Sequence, residues 1–150
     1  MSRSRQRLEA MLDVAELRTI GTELARARAA EARRDLDRAT SHVEREVGQL
    51  DAAVAGWTDA IAGGAFDPVA VAFWGQAVNK GQADVAQARR VQTECETADA
   101  VARDRFGRAT ADERCAADLL SRARFDRASE LLQREEDDRA DQATRRFARP

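Results

Sequence analysis

Tyrosine is absent from this 150-residue chain, histidine occurs once, and proline and cysteine occur twice each. These shortages exclude most catalytic arrangements. The single imidazole, His42, has Arg38 and Glu46 one turn to either side and no cysteine near it, so neither a zinc ligand set nor an acid–base pair can be assembled around it. The run Glu135-Glu136-Asp137-Asp138 sends its carboxylates to different sides of a helix and lacks the glycine and alternating ligands of a calcium loop. Gly63-Gly64 is not followed by the Lys-Ser or Lys-Thr of a phosphate loop. The expectation is a protein that performs no chemistry of its own and needs no metal or cofactor.

Other things are missing too. No apolar run approaches the roughly 18 residues of a membrane span, which predicts no direct membrane insertion. The opening MSRSRQRLEAM holds no apolar stretch able to serve as a secretory signal, which predicts a cytoplasmic protein. Net charge is almost absent: 25 basic and 27 acidic residues are interleaved and leave −2. Without a continuous positive field, nucleic acid is not an expected partner. Arg3, Arg5 and Arg7 form one basic cluster, read as a solubilising tip. Cys95 and Cys115, on one straight helix, would stand roughly 30 Å apart at 1.5 Å per residue, too far for a disulfide, so two reduced thiols are expected.

What remains is the composition of long helices with a narrow apolar stripe: charged residues make up 35% of the chain, and Ala, Leu, Arg, Glu and Asp dominate. Breakers cluster once, at Gly63-Gly64-Ala65-Phe66-Asp67-Pro68. Asp67 suits an N-cap and Pro68 the first helical position, where its missing N–H is harmless. Phe66 and Val71 have the spacing of a hydrophobic staple. The prediction is a single all-α coiled-coil domain with a helix over about 4–62, a turn at 63–67 and a helix over about 68–147.

Sevenfold spacing carries the fold prediction. Leu8, Ala15, Thr22, Ala29, Leu36, Val43, Leu50 and Trp57 form one row; Trp74, Gly81, Ala88, Cys95, Ala102, Ala109, Ala116 and Ala123 form another. Folded about the glycine turn, the rows set Trp57 by Trp74, Leu50 by Gly81 and Leu8 by Ala123, large residues against small ones. The companion row in the first helix is read as Ala25, Ala32 and Ala39, then Thr40, Val47, Val54 and Ile61, which makes Val47 and Val54 seam residues. In the second it is read as Val71, Val78 and Val85, then Val91 and Ala98. The outcome is a long two-helix antiparallel coiled-coil hairpin. Its second helix outruns the first, and residues from about Asp126 to Phe147 project as a single helix supported by acid-first i,i+4 pairs: Glu130–Arg134, Glu135–Arg139 and Asp141–Arg145. Leu131, Leu132 and Phe147 are then left uncovered by their own chain.

Trp57, Phe66, Phe73 and Trp74 gather around the turn. With Trp74 in the seam, Phe73 points about 100° away, toward the flank, where an aromatic ring can serve as a partner contact.

In three stretches the chain resembles the flagellar export protein family FliJ, whose injectisome cousins are the YscO-type proteins. RLEAMLDVAELR, with Leu8, Leu12 and Leu17, is similar to the family's opening. FDPVAVAFWGQAV is similar to its post-turn helix with early aromatics, and LLQREEDDRADQATRRFARP resembles its acidic-then-basic, aromatic ending. The resemblance implies a non-enzymatic stalk that binds a hexameric export ATPase and a membrane export-gate protein, with export chaperones as a further partner class, at the cytoplasmic face of the inner-membrane export apparatus. It implies that Leu131, Leu132 and Phe147 enter the ATPase ring. It also implies that Phe73, Gln76 and Lys80, early in the second helix, contact the gate. An injectisome equivalent and an unrelated coiled-coil scaffold or adaptor are the alternatives that the same heptads allow.

Overall fold

The computed structural model describes residues 3–147, in two α-helices: α1 (Arg3–Ala62) and α2 (Pro68–Phe147). The two pack against each other as an antiparallel all-α hairpin, the class predicted by the paired heptads. The last three residues of the ending that resembles the FliJ family lie outside the described residues. The turn follows from local chemistry. The Gly63 amide donates to the Asp59 carbonyl at 2.9 Å to close α1, and a Cβ on Gly63 would stand 3.1 Å from that same oxygen. Asp67 caps α2, its carboxylate accepting from the Val69 amide at 2.9 Å. Phe66 stays 70% exposed, so the carboxylate cap rather than a Phe66–Val71 staple marks where α2 begins.

Packing falls into two compact units, Ala27–Asp104 and the described parts of Met1–Arg26 with Arg105–Pro150. In the first, glycines on one helix receive bulky side chains from the other. A Cβ on Gly81 would lie 3.1 Å from Leu50 Cδ1, a Cβ on Gly56 would lie 2.7 Å from the Trp74 indole, and Gly75 stands beside Trp57. The expected pairing of Leu50 with Gly81 is therefore observed, and the two tryptophans pack on each other's neighbouring glycines. Ala39, Ala53, Val78, Val85 and Ala88 are buried around these contacts.

In the second unit Thr22 replaces an aliphatic seam residue and is only 4% exposed. Its hydroxyl lies 3.0 Å from the Arg18 carbonyl and 3.1 Å from the Ala109 carbonyl across the seam, so the buried oxygen is satisfied. Ala116 and Ala123 are buried, and the Arg26 guanidinium lies 5.7 Å from the centre of the Phe106 ring.

Two expectations need correction. The companion row of α1 does not run out through Val54 and Ile61: Thr40 and Val47 are half-buried as expected, but beside them the row from Ala39 continues in sevens through Glu46 and Ala53 to Ala60, which leaves Val54 41% and Ile61 51% exposed. Likewise the companion row of α2 continues from Val85 to Gln92, Asp99 and Phe106, and Val91 and Ala98 are exposed. A straight heptad holds because small side chains let the helices close up at Ala39 and Ala53, and there the larger valines are pushed to the flank.

Ala53→Asp should therefore lower stability by several kcal/mol, and Val54→Asp by roughly 1 kcal/mol or less, as read from denaturant melts followed by circular dichroism. Glycine substitutions should split by environment. Gly48→Ala, where a Cβ meets nothing within 4 Å, should stabilise by about 0.8–1 kcal/mol through helix propensity. Gly56→Ala should destabilise despite the same gain, because its methyl collides with the Trp74 ring.

Candidate interaction surfaces

Phe73, Gln76 and Lys80 are spaced by three and four residues, so α2 presents them along one face, and all three are exposed. Phe73 is 63% exposed and meets Trp74 edge-on, the ring centroids 5.2 Å apart and the planes at 78°. Trp74 is held against Gly56, which keeps Phe73 from folding into the seam. Lys80 donates to Asp84 Oδ2 at 2.7 Å. That hydrogen bond first, and the carboxylate's charge second, raise the Lys80 ammonium above its ordinary lysine range, so it stays charged at neutral pH. Beside this face runs a groove lined by Gln49, Ala52, Ala77 and Gly81, with Lys80 and Asp84 on its rim. An aromatic ring, an amide and a fixed cation next to a groove made by small residues can receive a protein segment.

Leu131, Leu132 and Phe147 are 44%, 62% and 91% exposed. Coverage by α1 reaches further than apolar spacing predicts: Arg7 Nη1 lies 3.2 Å from Asp126 Oδ2, the Ser4 hydroxyl donates to Glu130, and Arg127 Nη1 donates to Ser4 Oγ at 3.3 Å. The uncovered part of α2 therefore starts at Leu131, not near Asp126. Glu130 also pairs with Arg134, and Glu135 lies 3.9 Å from Arg139, two of the expected intrahelical supports. The tail and the Phe73 face belong to different units.

Apolar spacing missed Asp99. It occupies the companion row of α2 and is 2% exposed. Its Oδ2 lies 3.1 Å from Arg103 Nε on its own helix and 3.8 Å from Arg33 Nη1 across the seam, and its Oδ1 has no hydrogen-bond partner. Both guanidiniums remain mostly in solvent, at 61% and 66% exposed. A polar group at a seam position favours the alignment that supplies its partners, at some cost in stability. Counting in sevens from Val85 would have found it; reading apolar residues alone led to Val91.

Among the described residues no group of three or more His, Cys, Asp or Glu side chains is placed to hold a metal ion, and no helix is long and apolar enough to cross a membrane. His42 sits on an exposed face with Nδ1 3.7 Å from Glu46. Cys95 is half-buried and Cys115 exposed, both as free thiols.

No family model, characterised protein or solved structure matches the chain. Its surfaces must be read from their own chemistry.

Asp99 offers a direct measurement. Asp99→Leu should raise stability by about 1–4 kcal/mol, since it removes a buried carboxylate and leaves two arginines that are already solvated. Replacing Arg33 and Arg103 together by Leu should lower it by a similar or larger amount, because the carboxylate is then buried without a countercharge. The midpoints of urea unfolding curves measure both.

Proposed function

We propose that the chain is a non-enzymatic stalk and coupling protein of a flagellar type III export apparatus. The feature that carries the reading is the asymmetry of the hairpin. Beyond Glu130, α2 continues for seventeen residues as a helix that α1 does not cover, and it bears Leu131, Leu132 and Phe147 on a strongly charged background. A lone amphiphilic helix of that length is marginal in water, so a function that supplies a surrounding surface accounts for it. The three stretches that resemble the FliJ family support the same reading.

In this reading the uncovered tail of α2 sits inside a hexameric export ATPase and promotes assembly of the ring. The face with Phe73, Gln76 and Lys80 contacts the membrane export-gate protein, and export chaperones are a further class of partner. The protein then works at the cytoplasmic face of the inner membrane. The tail's acidic run followed by Arg145 and Arg146 gives it both charge signs with which to meet a ring interior. Phe73 supplies a fixed aromatic anchor, the residue type that most often dominates the binding energy of an interface.

Purified protein added to the export ATPase of the same cells should promote hexamerisation and raise ATP hydrolysis. The combined variant Leu131→Ala, Leu132→Ala, Phe147→Ala should lose that stimulation while its melting stays within about 0.5 kcal/mol of the parent, because these side chains are exposed. Stimulation that is absent from the parent protein, together with a deletion strain that still exports, would remove the stalk reading. Capture of other, unrelated coiled-coil partners from native cells would favour a scaffold or adaptor instead.

A further inference from the structure

The first half of α1 carries an aliphatic stripe that the hairpin does not use. Leu17, Ile20 and Leu24 are 68%, 56% and 50% exposed. Leu17 and Leu24 each follow a seam residue, Ala15 and Thr22, by two positions, about 200° around the helix, so both lie off the seam. Leu17 and Gly21, at the edge of the stripe, also line an open groove with Arg105, Arg108, Ala109 and Asp112 of α2. A Cβ on Gly21 would meet nothing within 4 Å, so packing within the chain does not explain a residue that costs a helix about 0.8–1 kcal/mol relative to alanine. Gly56 and Gly81 are glycines because a large side chain of the opposing helix rests on them. Gly48 and Gly107 are as open as Gly21, but neither lies within an aliphatic stripe.

The stripe is also complementary to itself about its centre. Moving outward from the bond between Ile20 and Gly21, Leu17 mirrors Leu24, and Asp13 mirrors Arg28 with the opposite sign. We propose that this face binds a second copy of the chain, α1 against α1, antiparallel about a two-fold axis at Ile20 and Gly21. In that arrangement Ile20 of each copy rests on Gly21 of the other, Leu17 meets Leu24, and Asp13 meets Arg28, each contact formed twice. The interface is isologous and closes at two copies, so it yields a dimer and no filament. The surface involved is short against the roughly 1,200–2,000 Å² of a standard stable interface, which makes the dimer a reversible one. The inference is independent of the stalk reading, because the stripe is distinct from the Leu131, Leu132 and Phe147 tail.

Sedimentation equilibrium over a roughly hundredfold range of concentration tests it; about tenfold in Kd corresponds to 1.4 kcal/mol. The weight-average mass of the full chain should climb from 16.5 kDa toward twice that value. Leu17→Lys and Gly21→Leu should each return it to monomer without lowering the melting temperature, since both positions are exposed. Asp13→Arg and Arg28→Asp should each weaken association about tenfold or more, and the two together in one chain should restore it. A chain that stays monomeric at every concentration overturns the proposal. So does a dimer that survives Leu17→Lys, or paired charge exchange that fails to restore association. Stimulation of the export ATPase by the Leu17→Lys variant keeps the two readings separable: loss of the dimer alone leaves the stalk proposal standing.

Discussion

Close approach of two helix backbones at small residues is the constraint on which the hairpin depends. Alanine and glycine on one helix leave hollows, and Leu50, Trp57 and Trp74 fill them from the other. Sliding one helix by a single residue would turn Leu50 off Gly81 and drive Trp74 into backbone that has a Cβ. A seam built this way gains alignment from shape rather than from the quantity of buried hydrocarbon. The turn adds its own restraint, because the Asp67 carboxylate accepts from the Val69 amide at the start of α2 and Gly63 ends α1 against the Asp59 carbonyl.

Where apolar complementarity thins out, polar groups take over the pairing. Thr22 reaches the Ala109 carbonyl, Asp99 lies between Arg103 and Arg33, and Ser4 and Arg7 tie the start of α1 to Glu130 and Asp126. The exposed ion pairs add little stability individually. Asp99 is different, since its burial links the seam to two arginines and makes the wrong alignment expensive. The mixture explains how an almost neutral chain with a third of its residues charged still selects one partner helix, its own.

The turn, its cap, the two main rows and the facing of Leu50 with Gly81 were all legible in the order of residues, because large, small and breaker residues each leave a periodic or local mark. The companion rows were legible in part: Ala25, Ala32 and Ala39, and Val71, Val78 and Val85, lie buried or half-buried, but the rows' continuations did not follow the apolar residues. Val54, Ile61 and Val91 attracted the assignment through their hydrophobicity, yet the helices keep to sevens and admit Ala53, Ala60, Gln92 and Asp99 instead. Backbone closeness decided the matter, and no single residue type announces it. The start of the uncovered tail was misplaced for a related reason: Ser4, Arg7, Asp126 and Glu130 extend the contact by hydrogen bonds and charge, to which apolar spacing is blind. The exposure of Phe73, Leu131, Leu132 and Phe147 agrees with their positions off the rows, whereas the stripe at Leu17, Ile20 and Leu24 acquires meaning only once the opposite face of α1 is known to be occupied.

The alanine-rich seam also sets how the molecule responds to temperature. Among the described residues the buried apolar side chains are Ala39, Ala53, Val78, Val85, Ala88, Ala116 and Ala123, none larger than valine. Little hydrocarbon is wetted when such a pair of helices comes apart, and the heat-capacity increment of unfolding scales with that wetting. The free-energy curve is accordingly shallow and broad rather than sharply domed, and a seam of this kind loosens gradually on warming while resisting loss of structure in the cold.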